Sequence, residues 1–281
     1  MGSIPDYSLP PQELTFDGFL FDMDGTIIDS TEAVVKHWET IGNEIGVAPE
    51  VILETSHGRR SIDILKILAP EKANWDYAIP CLRIWPGDHV CTGEAGRAPM
   101  QLDYHSYLDG AAADPFPDVR DMEGRLPKYH GHEAVEIPGA RSMLEALIAR
   151  SSPWAIVTSG TVPLVTGWLR ARDLPTPPSD HLVTAESVEN GKPDPACYRL
   201  GRERLGLQAE GAQVLVLEDS PAGIRAGKAA GCKVLGLVTS HTVEQVLAAE
   251  PDWVVRDLSS VKVLRSEGGK VTVEISNALR L

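Results

Sequence analysis

Short apolar runs that stop at polar or acidic residues limit the folds open to this chain more than any other feature. Residues at about 17–22, Trp154–Thr158, Val214–Leu217, Lys233–Leu237 and Trp253–Val255 read as strands, with a shorter one at His181–Thr184. Helical spacing fills the intervals. Pro138-Gly139 opens a helix with Met143, Leu144, Leu147 and Ile148, and Thr161–Arg170 carries Leu164, Val165, Trp168 and Leu169 on one side. Helices are also expected at Ala196–Leu205, Pro221–Ala230 and about 243–249. Such alternation predicts the α/β class, a parallel sheet with helices on both faces. Sheets of that kind bind ligands beyond the carboxyl ends of their strands, so the residues that follow each run carry the functional reading.

After Phe21 comes Asp22-Met23-Asp24-Gly25-Thr26. Residues two apart on a strand share a side, so Asp22 and Asp24 can address one spot, and Gly25 allows a tight exit turn. Paired carboxylates there can hold Mg²⁺, supply a nucleophile and move a proton. A surface turn uses the same residue types. An EF-hand is excluded, because its glycine belongs at position 6 of the loop and Gly25 is the fourth residue from Asp22. Thr158-Ser159-Gly160-Thr161 follows the next run, where a hydroxyl and free amides at a helix start suit an anion or simply cap the helix. Glu218-Asp219-Ser220-Pro221 follows Val214–Leu217, with Ser220 as cap and Pro221 in the first helical position. Four carboxylates facing one another require a cation, and an all-oxygen shell favours Mg²⁺ over zinc. Lys192, in Gly191-Lys192-Pro193-Asp194-Pro195, reads alone as a solvated loop lysine, and its position in this series makes it the basic residue expected to join them.

Ahead of this half, residues 1–14 are Pro-rich and polar and predict an extended arm before a first strand at about 17–22. Thr31–Ile45 reads as an amphipathic helix through Val34, Trp38, Ile41 and Ile45, capped by Ser30 or Thr31. A basic turn, Ser56-His57-Gly58-Arg59-Arg60-Ser61, precedes a helix through Ile62, Ile64, Leu65 and Ile67. From about 78 to 118 prolines and glycines alternate with no period of 2 or 3.6, and a structureless loop of that length is foreign to a compact domain. It reads as a disordered insertion, an added elaboration or a translated non-coding segment. The tail, Val261–Leu264 and Lys270–Ile275 around Gly268-Gly269, predicts a hairpin.

A net charge of −14 argues against nucleic acid and anionic membranes as partners. No apolar run is long enough to span a bilayer, and the amino terminus lacks a basic-plus-apolar leader pattern. Cys81, Cys91, Cys197 and Cys232 show no paired spacing, so reduced thiols and a cytoplasmic location are expected. The expected assembly is a monomer or weak dimer.

In order, Asp22-Met23-Asp24-Gly25-Thr26, Thr158, Lys192 and Glu218-Asp219 resemble the four motifs of the haloacid dehalogenase superfamily of phosphohydrolases. More narrowly, Ser56-His57-Gly58-Arg59-Arg60, Glu123-Gly124-Arg125-Leu126-Pro127-Lys128-Tyr129 and Thr158-Ser159-Gly160-Thr161 resemble the fungal glycerol-phosphatase and 2-deoxyglucose-6-phosphate phosphatase group. The likeness covers roughly 17–77 and 119–257, and 78–118 departs from it. It implies a Rossmann-like core, residues 1–30 and 138–281, with a helical cap at 31–137. It also implies hydrolysis of a small phosphorylated polyol or sugar. Asp22 would be the nucleophile and Asp24 the acid and base. Thr158, Ser159 and Lys192 would hold phosphate, and His57, Gly58, Arg59 and Arg60 would reach the substrate from the cap. Mg²⁺ would lie among Asp22, the Asp24 carbonyl, Asp219 and Glu218. Asp24 counts against a true dehalogenase, since a halide leaves without a proton. A mutase of the same architecture and a non-catalytic phosphosugar-binding protein remain as alternatives.

Overall fold

The computed structural model describes residues 5–56, 58–70, 73 and 119–280. His57 and the segment 78–118 lie outside the described residues.

The central sheet has six parallel strands in the order β6-β5-β2-β7-β8-β9. In chain order they are β2 (Gly18–Phe21), β5 (Trp154–Val157), β6 (Leu182–Val183), β7 (Val214–Glu218), β8 (Lys233–Leu237) and β9 (Trp253–Val255). Period-two burial on both faces explains the apolar runs. Phe19, Phe21, Leu215 and Leu217 join one core cluster, while Leu20, Val214 and Val216 join the other. Full burial of such side chains stabilises by about 1.5–3 kcal/mol each. The first face is covered by α5 (Ala140–Ala149) and α6 (Val162–Ala171). The second is covered by α7 (Ala196–Arg204), α8 (Pro221–Ala229) and α9 (Val243–Leu247). The chain leaves β2, lays β5 and β6 on one side, then crosses to β7, β8 and β9 on the other. The reversal at β2 opens a crevice beyond its carboxyl end.

Two expectations change. The arm is not simply extended: β1 (Gln12–Phe16) pairs antiparallel with β11 (Lys270–Ile275), which also pairs with β10 (Val261–Glu267). The tail is thus part of a three-stranded sheet, because the apolar side of β11 (Val271, Val273, Ile275) completes the first core cluster. Ser30 occupies the N-cap of α1 (Thr31–Ile45) without a side-chain capping bond, and Asp29 accepts from the Thr31 amide at 3.0 Å instead.

Between β2 and α5 the chain makes an excursion whose stems pair, β3 (Ile28–Asp29) with β4 (Val135–Glu136). The excursion carries α1, α2 (Pro49–Ser56), α3 (Ser61–Leu68) and α4 (Val119–His130). These helices share an apolar cluster of their own, including Trp38, Ile41, Ile52, Ile62, Leu65 and Met122. Helix α4 also seats Pro127 against Gly167 of α6, where a Cβ would leave no room. No helix among the described residues is long and apolar enough to cross a membrane.

Candidate active site

Parallel strands present all their carboxyl ends at one edge, so loops far apart in sequence meet there. One cavity is lined by Asp22, Asp24 and Gly25 after β2, Thr158, Ser159 and Gly160 after β5, Asp219 after β7 and Ser240 after β8. Gly58, Arg59, Ser61, His37, Trp38 and Glu123 close it from the helical excursion.

Asp22 is 7% exposed, and its amide donates to the Leu217 carbonyl at 3.0 Å, which locks the strand end. Lys192 reaches it from the loop after β6. The ammonium donates to Asp22 Oδ1 at 2.5 Å, to Glu218 Oε1 at 2.6 Å and to the Val157 carbonyl at 3.1 Å. Burial pushes the Asp22 carboxyl well up against the opposing pull of Lys192. Burial pulls the Lys192 ammonium down, but Asp22 and Glu218 more than reverse it and hold it above the ordinary lysine range. Glu218 is fully buried and loaded on both oxygens. Oε1 accepts from Lys192 and from the Tyr198 hydroxyl at 2.9 Å, and Oε2 from the Ser220 amide and hydroxyl at 2.9 and 3.0 Å. Its evident work is to anchor Lys192.

Asp24 Oδ1 accepts from the Ser30 hydroxyl at 2.5 Å. Burial raises its carboxyl to about 6, opposed by that hydrogen bond, so it can hold or release a proton near neutrality. Asp219 accepts from Thr26 Oγ1 at 3.4 Å and from the Ser240 hydroxyl. Gly25 lies against this carboxylate at φ +86°, so a Cβ there would both strain the backbone and overlap Asp219. Carboxylate oxygens of Asp22, Glu218 and Asp219 lie within 4.8 Å of one another. With the Glu218 oxygens already taken by four donors, the Asp22 and Asp219 carboxylates are the oxygen ligands of this cluster that suit a hard divalent cation such as Mg²⁺. The Asp24 side chain stands outside this trio, bonded to Ser30.

The loop after β5 lies on the cavity wall. Thr158, 3% exposed, accepts from the Gly160 amide at 3.0 Å, and Ser159 Oγ donates to the Gly58 carbonyl at 2.9 Å. Gly58 and the exposed Arg59 line the cavity. Arg60 does not: the structure turns it away into the boundary between excursion and core, where Asp63 and three backbone carbonyls occupy its guanidinium. The expected contact of Arg60 with substrate is corrected on that ground, since no N–H of the group remains to offer.

Four contributors escaped sequence reasoning. Ser30 reads in the sequence as a helix cap, Ser240 looks like an ordinary loop hydroxyl, and Tyr198 like a core aromatic on α7. Glu123 opens the stretch Glu123–Tyr129, and nothing in its local sequence marks a role. It is 4% exposed, accepts from the Thr161 amide at 2.7 Å and closes the amino end of α6 from across the cavity. Burial raises its carboxyl to about 7, against the hydrogen bonds of Ser61 and Thr161.

The haloacid dehalogenase-like hydrolase family model matches residues 16–231. Hexitol phosphatase A of Escherichia coli (strain K12) is 31% identical over 257 residues, covering 92% of this chain and 98% of that protein. Glycerol-1-phosphate phosphohydrolase 1 of Saccharomyces cerevisiae is 30% identical, with 90% of this chain and 87% of that one covered. The same yeast's 2-deoxyglucose-6-phosphate phosphatase 1 is 30% identical, with 95% and 98% covered. Among solved structures, a hydrolase from Pseudomonas syringae superposes with a TM-score of 0.61 at 21% identity, over 86% of this chain and 94% of its own. Matched from the start of the central sheet to the end of α8, this chain belongs to the haloacid dehalogenase-like hydrolases.

Proposed function

We propose that the protein is a Mg²⁺-dependent phosphomonoester hydrolase acting on a small polyol or sugar phosphate through an aspartyl phosphate at Asp22. One observation carries the reading: Asp22, bonded to the Lys192 ammonium at 2.5 Å, shares a cavity with Asp24, whose carboxyl is raised to about 6. The relatives, a hexitol phosphatase, a glycerol-1-phosphate phosphohydrolase and a 2-deoxyglucose-6-phosphate phosphatase, support the substrate class.

In the first step an Asp22 carboxylate oxygen bonds to phosphorus while the phosphorus–ester oxygen bond breaks. Asp24 passes its proton to the departing alkoxide. In the second step Asp24, now a carboxylate, takes a proton from water, whose oxygen bonds to phosphorus. The bond to Asp22 breaks, inorganic phosphate leaves and both carboxyl groups regain their starting states. Splitting one displacement into two lowers each barrier, and acid–base help is worth about 10²–10⁴ in rate. Lys192 offsets charge on Asp22 and the phosphoryl oxygens, and Thr158 and the Ser159 amide bind those oxygens. Asp22, Asp219 and the Asp24 carbonyl would hold Mg²⁺, with Glu218 beside them. The ion supplies charge neutralisation between the two anions that must meet.

Cys197 and Cys232 are buried free thiols, consistent with a cytosolic setting. A monomer or weak dimer without nucleic-acid or membrane partners is part of this reading. Two solved structures, a putative β-phosphoglucomutase from Bacteroides vulgatus and one from Thermotoga maritima, share the fold at 20% and 22% identity, which bears on architecture alone. The test is a phosphate-release screen on glycerol phosphates, hexitol phosphates and hexose 6-phosphates, with Mg²⁺ and with EDTA. Phosphate release that needs Mg²⁺ is expected. Isomerised product without free phosphate, or equal turnover in EDTA, would overturn the reading.

A further inference from the structure

The turn at 58–61 meets the core at three loops, those that follow β5, β7 and β6. Ser159 donates its hydroxyl to the Gly58 carbonyl at 2.9 Å. Gly58, at φ +72°, presses on Ser220 so closely that a Cβ would overlap that side chain. Arg60 grips the third loop. A guanidinium has five N–H donors, and all five are engaged here. Nε and Nη2 bind the two Asp63 oxygens at 2.7 and 2.9 Å. Nη1 and Nη2 bind the carbonyls of Ala185, Val188 and Glu189 at 3.1, 2.9 and 2.8 Å. Arg60 is 3% exposed, and Asp63 supplies the counter-charge that makes such burial tolerable.

Those carbonyls lie between β6 and α7, where only a short 3₁₀ turn at Ala185–Ser187 intervenes, so an outside donor fixes their direction. The same stretch runs directly to Lys192. A Cβ on Gly191 would come within 2.7 Å of Arg60 Nε, so the guanidinium lies against the backbone up to the residue before the lysine.

We propose that Arg60, held by Asp63, is a positioning residue for Lys192: by fastening the loop 185–191, the helical excursion sets the ammonium on Asp22 and completes the phosphate site. Its kinetic arm rests on the phosphatase reading. Its structural arm does not.

The experiment uses the full chain and the variants Arg60→Met, Arg60→Lys and Asp63→Asn. Amide hydrogen exchange is followed over 185–191 and over β2 and β7. Steady-state turnover is measured on glycerol 3-phosphate, glucose 6-phosphate and p-nitrophenyl phosphate. In Arg60→Met, exchange over 185–191 is expected to quicken about tenfold or more, with β2 and β7 as protected as before. The kcat falls about 10–100-fold by a common factor on all three esters, with KM changed by less than about threefold. Arg60→Lys and Asp63→Asn fall between. Unchanged protection of 185–191 overturns the proposal, as does loosening spread over the whole core. A loss that differs more than about tenfold between esters also overturns it, because that marks a direct contact with the leaving group. If the wild-type chain releases phosphate from no ester, the phosphatase reading fails, and the exchange measurement still decides whether Arg60 holds the loop.

Discussion

Replacing Lys192 by methionine tests the buried charge network at its centre. The lysine side chain is 1% exposed, and its ammonium serves Asp22 at 2.5 Å, Glu218 at 2.6 Å and the Val157 carbonyl at 3.1 Å. Methionine fills nearly the same space and offers none of the three bonds. Two buried carboxylates and a carbonyl then lose the ammonium, and Glu218, with no exposure, keeps only its Tyr198 and Ser220 donors and cannot turn to water. Removing one partner of a buried pair costs about 3–5 kcal/mol. In a protein of this size that lowers the melting temperature by about 6–20 °C. Urea unfolding in EDTA isolates the protein's own term, since cation binding to the native state then adds nothing. Adding Glu218→Gln to Lys192→Met removes one of the stranded charges. The double variant should therefore be more stable than the sum of the two single losses by about 1–3 kcal/mol. A Lys192→Met protein within about 0.5 kcal/mol of wild type, or strict additivity of the pair, would refute the network.

Two further outcomes follow from the titrating carboxyls. Burial raises Glu123 to about 7 from the ordinary 4.5, so the folded chain keeps this proton to higher pH than the unfolded chain. The associated stability is complete below about 4.5 and is lost as pH rises through about 7, on the order of 3 kcal/mol. Glu123→Gln, which cannot titrate, should gain on wild type between pH 5 and pH 8 in paired melting curves. An equal offset at both pH values would contradict the shift. Asp24→Asn should lower kcat on an alkyl phosphate by about 10²–10⁴. The same variant should still give a burst of nitrophenolate from p-nitrophenyl phosphate, whose leaving group needs no proton. A lost burst would show that Asp24 does more than move protons.

The strand framework and most of the cavity were legible because they depend on local pattern. A wholly apolar Phe19-Leu20-Phe21 has to be buried on both faces, and the structure divides it between two clusters accordingly. Parallel pairing then forces whatever follows such runs to one edge, which is how Asp22, Thr158 and Asp219 come to share a cavity. Ser220 caps α8 with Pro221 next, as local chemistry dictates. Pattern said less about β1, whose inward residues before Phe16 are only half-buried and whose partner β11 lies at the far end of the chain.

Charged side chains show the boundary between the two kinds of information most clearly. Sequence alone determined that a basic turn, a strand-end pair of acids and a lysine before proline belong to this chain, and that strand order would bring the acids together. Only tertiary structure decided that Arg60 faces carbonyls over 120 residues away, that Glu218 anchors Lys192, and that Glu123 seals the amino end of α6. The physical reason is range. Periodicity and capping act within a few residues. A buried charge takes its role from whichever donors and acceptors the packed chain places within about 3 Å of it.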